Sequence, residues 1–176
     1  ISSDNGNTLW RENARSGERV EVADWKAVLE ALSEQRQHRT RERMGDVNSS
    51  SRGRTSAILS PDGRFMAGGH AGDMYLFELA SGDARFLTAD VEQEIFPAFS
   101  PDGSRLAFVK NGDIYWLDLD SGVAHRVTDR GHNTLLLHGM SDWVHEEELD
   151  VGRCFWWSPD GSRIAFLQFY LQPVGV

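Results

Sequence analysis

A 40-residue repeat constrains the fold of this chain more than any other feature. The tetrapeptide Ser-Pro-Asp-Gly occurs three times, at residues 60–63, 100–103 and 158–161. The first two copies begin 40 residues apart, and a second motif keeps the same step, because GDMYLFELASG begins at Gly72 and GDIYWLDLDSG begins at Gly112. Residues 7–17 (NTLWRENARSG) form a degenerate earlier copy of the second motif. Self-similarity at this period is typical of repeated structural units.

One repeat unit reads as four short strands separated by turn signals. In the second copy the strand-like segments cover residues 97–99, 105–109, 114–119 and 124–128. Proline and glycine suit the Ser-Pro-Asp-Gly turn, and Asn111-Gly112 is a strong hairpin signal. Four antiparallel strands in each repeat of this length are typical of a β-propeller blade. We therefore predict an all-β partial β-propeller of four-stranded antiparallel blades, with hairpins in a β-sandwich as the alternative.

The predicted domain covers residues 1–176 with about three to four blade units, and a helical segment near the N-terminus interrupts it. Residues 24–43 are predicted to be helical, with Asp24 as the N-cap. The apolar residues that would share one face of this helix are Trp25, Val28, Leu29 and Leu32.

A second interruption follows the second complete repeat. The step from Ser100 to Ser158 is longer than the step from Ser60 to Ser100 by almost half a repeat. We place the additional residues in an insert at about 131–153, between the strand ending near Thr128 and the strand that begins at Cys154. Insertions in repeat proteins map to loops and often to binding faces.

Composition and motif searches exclude several functions. The net charge of −9 and pI near 5.1 argue against a nucleic-acid-binding surface, and no apolar run reaches the roughly 18 residues of a membrane span. The single cysteine, Cys154, is predicted to be a buried, inert thiol. The nearest match to a Gly-x-Ser-x-Gly nucleophile motif, residues 139–143, ends in Trp143, and Leu149 replaces the second histidine of a zinc-protease motif that begins at His145. We therefore predict no catalytic residue, metal site or cofactor within this chain.

The insert carries three consecutive glutamates, Glu146 to Glu148, within the segment SDWVHEEELD. Ser141 or Asp142 can cap a short helix here, and the helix dipole favours nearby carboxylates by roughly 0.3–1 kcal/mol each. Successive helical residues differ by about 100° in direction, so two neighbouring glutamates can converge on one ligand while the third points elsewhere. Such a pair would bind an ammonium group through charge-assisted hydrogen bonds. A solvated acidic turn is the alternative.

The segment SDWVHEEELDVGRCFWWSPDGSRIAFLQF closely resembles the N-terminal propeller of the dipeptidyl peptidase IV branch of the prolyl oligopeptidase family. The usual family pattern is D-W-V-Y-E-E-E, followed by W-W-S-P-D/N-G and a strand ending in Q-F. The upstream segment LSEQRQHRTRERM also looks like the linker found in bacterial members. The resemblance extends over essentially the whole chain to about Phe169.

The resemblance implies a binding role for the last two glutamates. By position, Glu147 and Glu148 would hold the free α-amine of a peptide substrate. Glu146 lies outside this pair and would support it together with Asp142 and Trp143. The parent protein would be a serine-type dipeptidyl peptidase that releases X-Pro or X-Ala dipeptides. Its catalytic Ser, Asp and His would lie in a C-terminal α/β-hydrolase domain that these 176 residues do not include. A homodimeric parent in the periplasm or outside the cell is also implied.

Several departures leave other functions open. His145 replaces the usual tyrosine, the family's carbonyl-binding arginine has no counterpart in GGHAGD, and the tail YLQPVGV does not follow the family pattern. The alternatives are a non-enzymatic propeller that binds peptides or protein partners, and an inactive truncated remnant. Because a partial propeller leaves sheet edges unpaired, we expect the isolated chain to be less soluble and less stable than a complete propeller.

Overall fold

The computed structural model describes residues 8–40, 57–70, 72–89, 92–130, 133–149 and 151–171, with only the backbone described at 36–40, 143, 144 and 147. The first strands and the long helix are β1 (Thr8–Glu12), β2 (Arg19–Asp24), α1 (Trp25–Thr40), β3 (Ile58–Leu59), β4 (Phe65–His70), β5 (Asp73–Glu78) and β6 (Ala84–Phe86). They are followed by β7 (Glu94–Phe99), β8 (Arg105–Lys110), β9 (Asp113–Asp118), β10 (Ala124–Arg126) and β11 (Leu136–His138). The last elements are α2 (Trp143–Leu149), β12 (Phe155–Trp157), β13 (Ile164–Phe166) and β14 (Gln168–Tyr170).

The two complete repeats form two four-stranded antiparallel sheets. The strand orders are β3-β4-β5-β6 and β7-β8-β9-β10, so each repeat is a meander of sequential neighbours. The registers also repeat, since Phe65 pairs with Glu78 in the first sheet and Arg105 pairs with Asp118 at the equivalent position of the second. The prediction of four antiparallel strands in each repeat is confirmed.

The Ser-Pro-Asp-Gly turns share one hydrogen-bonded geometry. In each turn the serine hydroxyl donates to the aspartate two residues later at 2.6 Å and accepts a backbone N–H five residues later at 2.9 Å. The turn glycine has a positive φ in all three copies. The motif therefore fixes the start of each hairpin through local bonds that every copy can make.

Helix α1 confirms the helical prediction within the described residues. The Asp24 carboxylate accepts the backbone N–H groups of Lys26 and Ala27, as an N-cap does. Val28 and Leu32 are buried against the first sheet. The helix is described to Thr40, so the predicted end at Arg43 lies outside the described residues.

Three apolar clusters lie between consecutive units of the chain. The first joins the β1–β2 hairpin and α1 to the first sheet, and the second joins the two four-stranded sheets. The third packs the second sheet against β12 and β13, with Val109, Ile114 and Phe155 fully buried. Layers of sheets that bury apolar faces against their neighbours are expected of successive propeller blades.

The extra residues interrupt a strand, because β11 lies within the predicted insert of residues 131–153. In the second sheet, β7 is one strand with a bulge between Ile95 and Ala98. In the third unit the equivalent strand is divided into β11, which pairs with β14, and β12, which pairs with β13. Register makes Glu94 equivalent to His138 and Ala98 equivalent to Trp156. Glu94 and Ala98 are separated only by the bulge, whereas His138 and Trp156 are separated by the loop that carries α2. Most of the additional residues therefore enter at the position of the bulge, and the others precede β11.

The third unit exposes several large apolar side chains, namely Trp156, Phe166, Leu167 and Tyr170. Their exposed fractions range from 39% to 56%, which is a large apolar exposure for so short a segment. Among the described helices, none is long and apolar enough to cross a membrane.

Candidate functional site

The insert is a closed loop with hydrogen bonds across its base. Cys154 N–H donates to Gly139 O at 2.9 Å, and Ser141 N–H donates to Gly152 O at 3.2 Å. The Ser141 hydroxyl donates to the Val151 carbonyl. The two ends of the insert therefore meet as a short antiparallel ladder, which holds the intervening helix on a defined base.

Helix α2 occupies the tip of the insert. The Asp142 carboxylate accepts His145 N–H at 3.0 Å and lies 2.9 Å from His145 Nδ1, so Asp142 is the N-cap and Ser141 instead closes the loop. The His145 ring packs edge-on against Phe169 of β14, with ring centroids 5.5 Å apart. Histidine at the position of the family's tyrosine therefore connects the helix to the sheet that supports it.

The glutamate triplet lies on α2, with different exposure for the side chains that are described. Glu146 is half-buried and Glu148 is exposed. The backbone places Glu147 between them in the helix, but the side chains of Glu147 and Trp143 lie outside the described part. The convergence of Glu147 and Glu148 on one ligand stays a prediction.

A cavity of about 390 Å³ lies between the insert and the second sheet. The polar residues of its lining include Ser141, Asp142 and Glu146. The apolar part of its wall includes Ile95, Val109, Leu137 and Met140. A mostly apolar hollow with a few polar groups is a common form of ligand site. Of the α2 glutamates whose side chains are described, Glu146 lines this cavity and Glu148 does not.

Two close contacts hold the base of the insert against the second sheet. Gly139 has φ +71° and lies so near Ile114 that a Cβ would be 2.7 Å from Ile114 Cγ1. At the other end, a Cβ on Gly152 would be 2.7 Å from the Phe96 ring. Phe96 has φ 58° at the β7 bulge, a costly conformation for an aromatic residue. This bulge directs the ring to the insert.

Sequence reasoning missed a buried polar cluster centred on Asp113 at the start of β9. Its carboxylate accepts hydrogen bonds from His138 Nδ1 at 2.8 Å, Thr128 Oγ1 at 2.8 Å and an Arg126 guanidinium nitrogen at 2.6 Å. Burial raises the pKa of Asp113, but the bonds from His138, Arg126 and Thr128 outweigh it and hold the pKa below its usual value. The available signal was the Gly-Asp pair that repeats at Asp73 and Asp113.

Cys154, the candidate metal ligands and the C-terminal tail were also singled out from the sequence. Cys154 is fully buried, and burial raises the pKa of its thiol, so the prediction of a buried cysteine is confirmed. Within the described ranges no group of three or more His, Cys, Asp or Glu side chains could hold a metal ion. Residues 172–176 of the unusual tail lie outside the described residues.

Comparisons with known proteins agree on one family. The family described as the dipeptidyl peptidase IV (DPP IV) N-terminal region matches residues 68–175. Dipeptidyl peptidase 4 of Felis catus is 40% identical over 47 residues, which cover 26% of this chain and 6% of that protein. Inactive dipeptidyl peptidase 10 of Mus musculus is 46% identical over 43 residues, which cover 24% of this chain and 5% of that protein.

The fold comparison extends over nearly the whole chain. The crystal structure of Porphyromonas gingivalis dipeptidyl peptidase 4 matches with a TM-score of 0.59 and 23% identity, covering 97% of this chain and 25% of that chain. The chain therefore spans about a quarter of that structure, and its sheets correspond to part of the β-propeller. With its family match over more than half of its length, the chain belongs to the dipeptidyl peptidase IV branch of the prolyl oligopeptidase family and lies within the N-terminal β-propeller region.

Proposed function

We propose that this chain is the part of a dipeptidyl peptidase IV-like serine exopeptidase that recognises the free α-amine of a peptide substrate. Glu147 and Glu148 would bind the amine, and the parent enzyme would release X-Pro or X-Ala dipeptides from peptide N-termini. The catalytic serine, aspartate and histidine would come from an α/β-hydrolase domain outside these 176 residues. The chain itself would contribute selection of substrates and no bond cleavage.

The observation that carries this proposal is the glutamate triplet on a capped helix, whose Glu146 lines a cavity. The loop that presents α2 is closed at its base, and Asp142 caps its first turn. An ammonium ion near Glu148 would exchange water for charge-assisted hydrogen bonds. Exposed ion pairs contribute at most about 1 kcal/mol each, so we expect the isolated chain to bind a dipeptide with Kd of about 1 mM or weaker.

The experiment is a titration of the ¹⁵N-labelled chain with the dipeptide Ala-Pro and with N-acetyl-Ala-Pro. The free amine is expected to shift the backbone resonances of α2 and of the cavity wall, and the acetylated peptide, which has lost the positive charge, is expected to leave them unchanged. Changing both Glu147 and Glu148 to glutamine should abolish the difference between the two peptides.

A matched control separates a specific site from the general attraction of an acidic chain. Asp83 and Asp120 lie exposed in turns of the two four-stranded sheets, and replacing both with asparagine removes the same two negative charges. This variant should bind Ala-Pro as the unchanged chain does. Equal binding of the acetylated peptide, or an equal loss in both double variants, would contradict the proposal.

A second candidate function is peptide or protein binding without catalysis in the parent. The match to a relative named as inactive dipeptidyl peptidase 10 favours it, because the same propeller region then occurs in a protein that is described as inactive. A non-catalytic parent would show no hydrolysis of Ala-Pro-p-nitroanilide. A binding site for an internal peptide segment would also tolerate acetylation of the amine.

A further inference from the structure

The two junctions between successive sheets are built from equivalent residues. Glu94 N–H donates to Gly72 O at 3.0 Å, and His138 N–H donates to Gly112 O at 2.9 Å. Glu94 begins β7 and His138 ends β11, at equivalent register positions of the first strand in their units. Each junction therefore joins the hairpin of one sheet to the first strand of the next.

A threonine at the equivalent position takes part in each junction. Thr88 Oγ1 accepts the backbone N–H of Met74 at 2.8 Å, and Thr128 Oγ1 accepts that of Ile114 at 2.9 Å. Each threonine hydroxyl then donates to a carboxylate, Glu94 in the first junction and Asp113 in the second. Both junctions therefore contain a threonine, whereas the residue that the following unit contributes is a glutamate in the first junction and a histidine in the second.

His138 spans three strands at the second junction. Its Nδ1–H donates to Asp113 Oδ1 of β9 at 2.8 Å, and its Nε2 lies 3.1 Å from Gln168 Oε1 of β14. The side chains of His138 and Asp113 are only 7% and 3% exposed. A buried carboxylate that loses one hydrogen-bond donor keeps its desolvation cost without the compensating bond, so this geometry resists displacement of the ring.

Arg130 adds a second connection between the same strands. Its backbone N–H donates to Asp113 Oδ1 at 3.1 Å, and its guanidinium donates to Leu136 O at 3.2 Å and Asn111 Oδ1 at 2.7 Å. Asn111 and Leu137 also line the cavity beside α2. The position of β11 relative to β9 therefore sets part of the cavity wall.

We infer that His138 is a positioning residue that fixes the base of the insert, and hence the α2 carboxylates, relative to the second sheet. Gly139, where the insert begins, directly follows His138. The register partner of His138 is Gln168, in the strand that supports the insert. Loss of the Asp113–His138 bond would let β11 move away from β9 and carry the insert base with it. The link to amine binding rests on the proposed function. The Asp113–His138 hydrogen bond, which we call the histidine tether, does not depend on it.

The test is amide hydrogen exchange in the whole 176-residue chain with three variants of one residue. The side-chain amide nitrogen of asparagine is bonded to Cγ, as imidazole Nδ1 is, so His138→Asn keeps a donor for Asp113. The side-chain amide of glutamine extends further and can replace only the contact of Nε2 with Gln168, and alanine can form neither contact. We expect His138→Ala to speed exchange of the Gly139, Ser141 and Cys154 amides about tenfold or more, His138→Gln to do the same, and His138→Asn to stay within about threefold of the unchanged chain.

Amides of the first sheet and a variant at the first junction serve as controls. His138→Ala should leave exchange of the Ser60 and Phe65 amides unchanged, and Thr88→Val should speed exchange near β5 without affecting the insert base. Equal acceleration throughout the chain, no acceleration at the insert base, or failure of His138→Asn to retain protection would each overturn the positioning role.

Titration with Ala-Pro separates this inference from the proposed function. Where the unchanged chain prefers the free amine, His138→Ala should weaken that binding and His138→Asn should restore it; unaltered binding in His138→Ala would overturn the link between the tether and the carboxylates. A chain that shows the exchange pattern but no preference for a free amine would support the tether and overturn the proposed function.

Discussion

Replacement of Gly139 by alanine tests whether the insert base is as closely packed as the structure indicates. Gly139 has φ +71°, and a Cβ there would lie 2.7 and 2.8 Å from the Ile114 Cγ1 and Cδ1 atoms and 3.2 Å from Phe155 Cδ1. Carbon atoms in favourable contact are about 3.5–4.0 Å apart. Both neighbouring side chains are fully buried, so neither can move aside into solvent.

The expected loss of stability has two parts. The left-handed backbone conformation costs an alanine about 1–2 kcal/mol, and forcing an extra methyl group into a packed core costs about 1–3 kcal/mol. We therefore expect Gly139→Ala to lower the free energy of unfolding by about 2–5 kcal/mol.

Gly122 provides a matched control, because it has φ +71° with no atom within 4 Å of the added Cβ. Gly122→Ala should therefore show the backbone part alone, about 1–2 kcal/mol. Equilibrium urea unfolding followed by tryptophan fluorescence measures both variants against the unchanged chain. Equal losses in the two variants would refute the reasoning, since only Gly139 carries the packing part.

Three further predictions concern other parts of the fold. Hydrogen bonds from Ser100 and Ser104 lower the pKa of Asp102 from 3.8 to about 2; the resulting stabilisation is present above pH 4 and is lost as pH falls toward 2, so Asp102→Asn should flatten acid unfolding monitored by circular dichroism over that range. Arg105 lies 5.4 and 5.2 Å from the ring centroids of Trp116 and Trp157, and a double-mutant cycle of Arg105→Met with Trp157→Leu should give a coupling of about 0.5–1 kcal/mol, whereas zero coupling would contradict the stack. The exposed apolar side chains of the third unit predict concentration-dependent self-association of the isolated chain in sedimentation, and a cooperative, monomeric melt would count against it.

Local sequence signals predicted most of the strand architecture. Each Ser-Pro-Asp-Gly turn forms its bonds between residues that are close in sequence, and the register of a hairpin follows from its turn. The N-caps at Asp24 and Asp142 could also be predicted, since a cap acts on amides two or three residues away. The family-specific glutamate motif depended on resemblance, because three adjacent acids have no unique structural meaning.

The division of a strand by the insert and the histidine tether could not be predicted, because both depend on long-range contacts. The spacing of the Ser-Pro-Asp-Gly copies shows that the third unit is longer, but it does not show that the extra residues divide one strand at the site of a bulge. Asp113 and His138 are 25 residues apart in sequence and meet only when consecutive sheets pack. The repeated Gly-Asp pair marks Asp113 in the sequence, but it does not show that Asp113 bonds to His138.

The most direct test of the central claim is the hydrolysis of Ala-Pro-p-nitroanilide by the complete polypeptide encoded by the source reading frame. The account predicts cleavage of the free-amine substrate, and a fall in kcat/KM of about 100-fold or more when Glu147 and Glu148 are both changed to glutamine. The Asp83→Asn and Asp120→Asn double variant should retain activity within about twofold, because removing two exposed charges far from the site changes little. Full activity in the glutamine variant, or a complete polypeptide that does not cleave the substrate, would contradict the account.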